Sequence, residues 1–390
     1  MGAHLRRGRI HQALRRLRPA GARVGRARGA RDDRQPGDQR RVRGGRRRIP
    51  GRPTGGRVVK PGYIDSRTEE FDPAPALRHY LAGTAAGDGD GLDAVTRYAV
   101  QPPGKLVRPV LLVESAAAVG ADPADLVPIA VALEYLHVAT LVHDDIIDGD
   151  LLRRGRPTVH ARYGRDEAIV AGDALLLDTF RTLTEAAGLG FPPAAVLEAV
   201  RIVAVAGLDL CRGQAMEAGL AGDLYCGMAR YRTMAGLKTG ALFIAACAAG
   251  AVLGGGSGEE VRALRSFADH LGCAFQMRDD LLPYLADTSR AGKSSVTDIV
   301  NQRPTFPVLV GIELADTSQR WRIERSLDGR LPADEAHRLL RQVLTETGAL
   351  AEASARVAAE VAAARADLAP FGVRGERLIA LADSMIGRTW

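Results

Sequence analysis

Leu136-His137-Val138-Ala139-Thr140-Leu141-Val142-His143-Asp144-Asp145-Ile146-Ile147-Asp148 runs into Gly149-Asp150-Leu151-Leu152-Arg153-Arg154-Gly155-Arg156-Pro157, and these residues decide how the chain is read. Apolar residues fill almost every position back to Leu126, so the stretch reads as the C-terminal half of a buried helix. Asp144 and Asp148 lie four apart and project from one face. His137 falls near the same stripe, roughly two turns earlier. Two carboxylates at the end of an apolar helix are costly unless a cation compensates them. Hard divalent ions such as Mg²⁺ suit a few carboxylates combined with water and substrate phosphates, and the negative end of the helix dipole also favours a cation. Arg153 and Arg154 then present planar donors matched to phosphate oxygens.

Taken singly, an Asp-Asp pair is most often a solvated helix end and Arg-Arg-Gly a basic turn. A second acidic pair changes that balance. Phe275-Gln276-Met277-Arg278-Asp279-Asp280-Leu281-Leu282 again closes an apolar run with paired carboxylates. Two such helices facing each other make one polynuclear metal site.

Working outward, the first sixty residues stand apart. They hold 19 Arg and one Lys against Asp32, Asp33 and Asp38, so they carry +17 and leave −10 on residues 61–390 of a chain whose total is +7. Rich in Arg, Gly and Pro and poor in aromatics, residues 1–60 read as a disordered leader or as the product of a start codon assigned too far upstream. Nucleic-acid or membrane-surface binding is the weaker reading of such a tail. The leader lacks the apolar core of a secretory signal, and its acids fit a transit peptide poorly.

Residues 61–390 read as one all-α domain. Helical patterns recur at about 74–84, 106–119, 123–148, 166–187, 192–218, 228–253, 259–286, 304–316, 333–346, 349–367 and 374–386, and no run alternates as a strand. Ala241–Leu253 is too short and too Gly-bounded for a membrane span and reads as a core helix packed through Ala and Gly, so no transmembrane segment is expected. Cys211, Cys226, Cys247 and Cys273 show no paired metal spacing and point to a reducing cytoplasm without disulfides or zinc.

The motifs together resemble the trans-isoprenyl diphosphate synthases of the polyprenyl synthetase family. The resemblance rests on Gly104-Lys105-Leu106-Val107-Arg108-Pro109, His137, Asp144-Asp145-Ile146-Ile147-Asp148, Arg153-Arg154-Gly155-Arg156-Pro157-Thr158-Val159-His160, Lys238-Thr239-Gly240, Phe275-Gln276 with Asp279-Asp280, and Gly292-Lys293 before Asp298, in that order. It runs from about Asp72 to the C-terminus. It implies a single large helical bundle around a central cavity, of the isoprenoid synthase class I type. It also implies condensation of isopentenyl diphosphate with an allylic diphosphate, about three Mg²⁺ ions, and a homodimer. By the same resemblance Asp144, Asp148 and Asp279 hold the metals, and Arg153, Lys238, Gln276 and Lys293 contact the allylic diphosphate. Lys105, Arg108, His137 and Arg154 bind isopentenyl diphosphate, and Lys238, Thr239 and Gln276 form the catalytic group. His143 and His160 read equally well as structural histidines.

Two departures stand out. Pro283 occupies the place of a third aspartate in the second motif, and its ring conflicts with the carbonyl of Asp279, so a kink at a metal ligand is expected. Asp287, one turn on, is a partial substitute for the lost charge. Arg303 stands where the family has lysine. A growing product is expected to run past Thr140, Ala139, Leu136 and Leu133. Short-chain members of the family place bulky aromatics four and five residues before the first aspartate. Thr140 and Ala139 are small, so the resemblance implies geranylgeranyl diphosphate (twenty carbons) or longer. A class I terpene cyclase shares the fold but has no use for Lys105, Arg108, His137 and Arg154 together. A non-catalytic subunit of a heteromeric synthase, suggested by Pro283, is expected to lose aspartates or the Arg-Arg pair, and both are present.

Overall fold

The computed structural model describes residues 72–84, 91–285 and 302–386, which belong to one unit within Ile64–Trp390. Fifteen α-helices are assigned among them: α1 Pro73–Thr84, α2 Leu92–Val100, α3 Val107–Ala118, α4 Pro123–Asp148, α5 Val159–Tyr163, α6 Arg165–Glu185, α7 Pro193–Leu220, α8 Gly227–Ala235, α9 Ala241–Leu253, α10 Gly258–Leu285, α11 Phe306–Leu314, α12 Thr317–Leu327, α13 Ala333–Glu346, α14 Ala349–Asp367 and α15 Glu376–Ile386. The leader 1–60, together with Asp287, Lys293 and Asp298, lies outside the described residues.

α4 is the axis. Asp122 caps it by accepting the Ala124 N–H at 2.9 Å, Pro123 opens its first turn, and Gly149, in the left-handed region at φ 71°, ends it. α3 and α6 pack along its flanks, and α9 lies against α3, α7 and α10. Leu126, Leu133 and Leu136 on α4 are all but sealed from water, and burial of each such side chain contributes ~1.5–3 kcal/mol. One apolar core gathers around α3, α4, α6, α7 and α9 and continues into the first half of α10; a second lies among α8, the second half of α10 and α11–α14. α10 therefore stitches the two cores together, and its Asp279-Asp280 pair sits in the stretch that serves the second.

Most expected helices are present, with three differences. α2, α5 and α12 were not expected. α12 nevertheless carries a capping box, with Asp316 accepting the Gln319 N–H at 2.8 Å. The all-α reading also omits a two-stranded hairpin, β1 Leu152–Arg153 and β2 Arg156–Pro157, paired Leu152↔Pro157 and Arg153↔Arg156. Finally, α8 continues through a π-helical turn, Gly236–Gly240, into α9. That run of 27 residues, like α4, is long and apolar enough to cross a membrane. The length argument against a span therefore fails, and burial replaces it. In the most apolar windows of these two runs, 67% and 72% lie inside the protein.

Pro283 does not end α10, which runs on to Leu285. Having no N–H, the proline leaves the Asp279 carbonyl without the helical bond that residue 283 would otherwise donate.

Candidate active site

Lys238 stands between carboxylates from two helices. Its Nζ lies 2.5 Å from Oε2 of Glu217 on α7 and 4.0 Å from Oδ1 of Asp144 on α4. Arg303 mirrors it: Nη2 is 2.7 Å from Asp148 Oδ1 and 3.6 Å from Glu217 Oε2. Asp144, Lys238, Glu217, Arg303 and Asp148 thus alternate in sign. Burial raises the Asp144 carboxyl above its ordinary value, with Lys238 pulling it down and Asp148 and Glu217 pushing it up. Glu217 was absent from the sequence reading, although it closes the apolar run of α7 much as Asp144 closes that of α4.

The π turn carries Lys238 together with Thr239. Such turns insert one residue into the helical register and often mark functional positions. Thr239 Oγ1 donates to Gln276 Oε1 at 2.6 Å, and Gln276 Nε2 donates to Asp280 Oδ1 at 2.7 Å. The Tyr231 hydroxyl and the Phe306 backbone N–H reach Asp280 Oδ2 at 2.8 and 3.0 Å. The paired aspartates therefore divide. Asp280 is consumed in an internal network, while Asp279 is exposed. The protein around Asp279 still desolvates it enough to raise its carboxyl, and Lys105 acts against that.

The first motif divides in the same way. Asp145, 3% exposed, accepts from Arg153 Nε at 2.5 Å, and Arg153 also reaches Asp150 at 3.7 Å. Arg153 was expected to meet a diphosphate; here part of its guanidinium is held by Asp145.

A second cationic group lies around His137. Burial holds this imidazole well below its usual pKa, and Arg108, Arg154 and Arg153 add to the effect, so the ring is neutral at physiological pH. Arg108 is pushed down to about 10 by burial, with Glu134 opposing. Its guanidinium lies 5.1 Å from the centre of the Phe243 ring, and its buried Nε has no partner among the described residues. Burial raises Glu134 in turn, against Arg108, Arg154 and Arg78. Arg154 occupies the hairpin turn at φ 52° beside Gly155 at φ 75°, the pairing of left-handed residues that a two-residue turn requires. Its guanidinium fills the space that a side chain at Gly104 would take: a Cβ there would stand 2.7 Å from Arg154 Cζ. The buried guanidinium of Arg108 and the exposed one of Arg154, in excess over the Glu134 carboxylate, favour a polyanion.

The chain-length positions separate by face. Thr140 is partly open, on the stripe that also carries His137 and Asp144, and its hydroxyl donates to the His137 carbonyl at 2.7 Å. Leu136 and Ala139 are 1% and 2% exposed and packed into the core. The two other histidines are engaged locally. His143 faces Ile169 O at 3.3 Å and Asp173 at 3.6 Å, and His160 Nδ1 lies 3.1 Å from Thr158 Oγ1.

Among the described residues, no three His, Cys, Asp or Glu side chains converge on one point. The carboxylates stand instead as Asp144 and Asp148 at the end of α4 and Asp279 on α10. An all-oxygen donor set, with two of its carboxyls raised by desolvation, suits a hard divalent cation that takes its remaining ligands from water and a phosphate.

Comparison with known proteins agrees with this geometry. The family model described as Polyprenyl synthetase matches residues 90–347. A relative from Methanothermobacter thermautotrophicus, named "Short chain isoprenyl diphosphate synthase", is 39% identical over 220 residues, 56% of this chain and 66% of that one. A relative from Sulfolobus acidocaldarius, named "Geranylgeranyl diphosphate synthase", is 33% identical over 273 residues, 70% of this chain and 82% of that one. Among solved structures, a geranylgeranyl pyrophosphate synthetase from Pyrococcus horikoshii superposes with a TM-score of 0.73 at 29% identity, covering 81% of this chain and 98% of that one.

Proposed function

The chain belongs to the polyprenyl synthetase family of trans-prenyltransferases, and we propose that it condenses isopentenyl diphosphate with an allylic diphosphate to give an all-trans product of twenty carbons or more. The observation that carries this reading is the presence of two cationic groups of different character. One, Lys238 with Arg303, is interleaved with the carboxylates Asp144, Asp148 and Glu217. The other, Arg108 and Arg154 around a neutral His137, is opposed among the described residues by Glu134. Two diphosphates with different demands fit two such places, whereas a cyclase needs one.

In the first place the allylic diphosphate is held by Lys238, Gln276 and the free edge of Arg153, with Lys293 as a further contact. Thr239 fixes Gln276 through its hydroxyl. Asp144, Asp148 and Asp279 would hold Mg²⁺, about three ions in all. Bound there, the metal supplies the positive charge that makes diphosphate a good leaving group. The C1–O bond of the allylic substrate breaks and its electron pair leaves with pyrophosphate. Isopentenyl diphosphate, held by Lys105, Arg108, His137 and Arg154, offers its double bond to C1. A proton is then lost from its C2, with the departing pyrophosphate as acceptor, so no side chain is assigned as base. Arg108 and Arg154 stabilise charge that stays in place, and His137 adds a donor without adding charge.

The small, partly open Thr140, on the face that carries Asp144, supports a deep pocket. Leu177, Leu197 and Leu208, each more than half exposed on α6 and α7, support a homodimer formed through these two helices. The free thiols support a reducing compartment, the cytoplasm; burial pushes Cys247 and Cys273 up to about 12 and about 11. We assign catalysis to residues 61–390, and removal of residues 1–60 is expected to leave turnover unchanged.

The test is incubation with isopentenyl diphosphate, Mg²⁺ and each allylic primer, followed by mass analysis. Linear prenyl diphosphates are expected. Cyclised hydrocarbon with release of diphosphate would establish the cyclase instead. Turnover only after a second, different subunit is added would establish the non-catalytic role.

A further inference from the structure

The hairpin that carries Arg153 and Arg154 is too short to hold itself in place. Four strand residues and a two-residue turn cannot fix a position in water. Its anchor lies on α2. Tyr98 O–H donates to the Pro157 carbonyl at 2.7 Å. The guanidinium carbons of Arg156 and Arg162 each stand 4.3 Å from the centre of the Tyr98 ring. Arg156 Nη1 also donates to the Gln101 carbonyl at 2.5 Å, at the C-terminal end of α2, where the helix dipole favours a cation. Tyr163 meets the same ring edge-on, 5.3 Å between centres.

These contacts act on the site through one strand pair. Arg156 pairs with Arg153 across the hairpin, and Arg154 is the next residue, at the turn. A cavity of about 110 Å³ lined by Tyr98, Val138, Asp145, Arg153 and Arg154 lies between α2, the hairpin and α4. From below, the hairpin is tied to α4 by the pair of Arg153 with Asp145; the Tyr98 stack holds its other strand from the side.

We propose that Tyr98 and Arg156 are positioning residues: they set the height of the hairpin over α4 and so aim Arg154 at the homoallylic diphosphate place beside Gly104 and His137. The inference rests on the function proposed above. A cation over an aromatic ring and a hydrogen bond to a strand carbonyl restrain different motions, one sliding and one lifting, so both are used.

The experiment compares Tyr98→Leu, Tyr98→Phe and wild type in three readouts: steady-state kinetics with each substrate varied in turn, binding of inorganic pyrophosphate by calorimetry, and thermal melting. Tyr98→Leu is expected to raise KM for isopentenyl diphosphate ~10-fold or more, because a misplacement of about 1 Å at a site of this kind costs up to ~100-fold. KM for the allylic substrate is expected to stay within about twofold. Tyr98→Phe keeps the ring under both guanidinium groups and is expected to recover most of the loss. Equal change in both KM values, or a lowered melting temperature that accounts for the loss, would overturn the proposal by making Tyr98 merely structural. Full activity in Tyr98→Leu would overturn it as well. If wild type fails to join the two substrates, the functional reading fails, and pyrophosphate binding decides the positioning claim separately: unchanged affinity in Tyr98→Leu defeats it.

Discussion

Replacing Thr140 with phenylalanine is expected to shorten the product, and the structure says why position 140 serves better than 139. Thr140 precedes Asp144 by four residues, ~6 Å along the helix and ~40° around it. Ala139 precedes it by five, ~7.5 Å along but ~140° around, which turns it off the face that bears the aspartates. Burial agrees: Ala139 is 2% exposed, whereas Thr140 is partly open. A phenyl ring at 140 therefore enters the path of the growing tail roughly one or two isoprene units below the reacting carbon, leaving the aspartates untouched. The loss of the threonine hydroxyl removes a donor to the His137 carbonyl, worth at most ~0.5–1.5 kcal/mol. Ala139→Phe instead forces a ring into packed core, at ~1–3 kcal/mol. Mass analysis of products from the shortest allylic primer, run beside melting curves, reads both effects. Thr140→Phe is expected to give mainly products of roughly ten or fifteen carbons with its fold intact, and Ala139→Phe a lowered melting temperature with chain length unchanged. A folded, active Thr140→Phe enzyme with the wild-type product spectrum would refute the assignment of this face to the tail.

Three further outcomes are open to measurement. Asp144→Ala and Asp279→Ala are each expected to lower turnover by several orders of magnitude in a coupled pyrophosphate-release assay, since each removes a carboxylate proposed above to hold the metal; near-normal turnover in Asp279→Ala would remove α10 from the site. Gly104→Ala is expected to cut kcat/KM for isopentenyl diphosphate ~10- to 100-fold by displacing the Arg154 guanidinium, with the allylic KM little changed. Glu360 on α14, though burial pushes its carboxyl up, is held below its ordinary value by hydrogen bonds from Arg232 and His270 Nδ1, the latter at 2.8 Å. A carboxyl depressed on folding stabilises the protein above the unfolded value of about 4.5 and loses that contribution as pH falls through the folded value. Glu360→Gln is therefore expected to cost ~1.5–3 kcal/mol near neutrality, the gap to wild type closing as pH falls below the unfolded value and through the folded one in melts across pH; a constant gap would show that packing, not charge, is at stake.

The long helices were legible because their signals are redundant. α4 announces itself by an Asp-Pro start, a continuous apolar run and a glycine stop, and tertiary packing had only to agree. α2 is nine residues between a glycine and Gln101-Pro102, too short for its pattern to stand above noise. α12 was readable from Asp316 and Gln319 but is mostly polar, so a search keyed to apolar periodicity passed over it. In the site, residue types were legible and directions were not. Nothing in the string Asp279-Asp280 says that the second carboxylate turns inward to Tyr231 and Phe306, because those partners come from elements 49 and 26 residues away. Glu217 escaped for the same reason: its meaning lies in Lys238, which only the fold brings to it.

That inward turn of Asp280 bears on how the enzyme tolerates change. The chain is tied down at Gln302, whose carbonyl accepts the Gly222 N–H at 2.9 Å, and again at Phe306, whose N–H is taken by Asp280. α11 is thus located by contacts with α10 and with the turn after α7. Gln276 and Thr239 stand at the other end of the same network, so the tie that places α11 also orients them. A change at Asp280, Tyr231 or Phe306 is therefore felt at the entry to α11 and at Gln276 together.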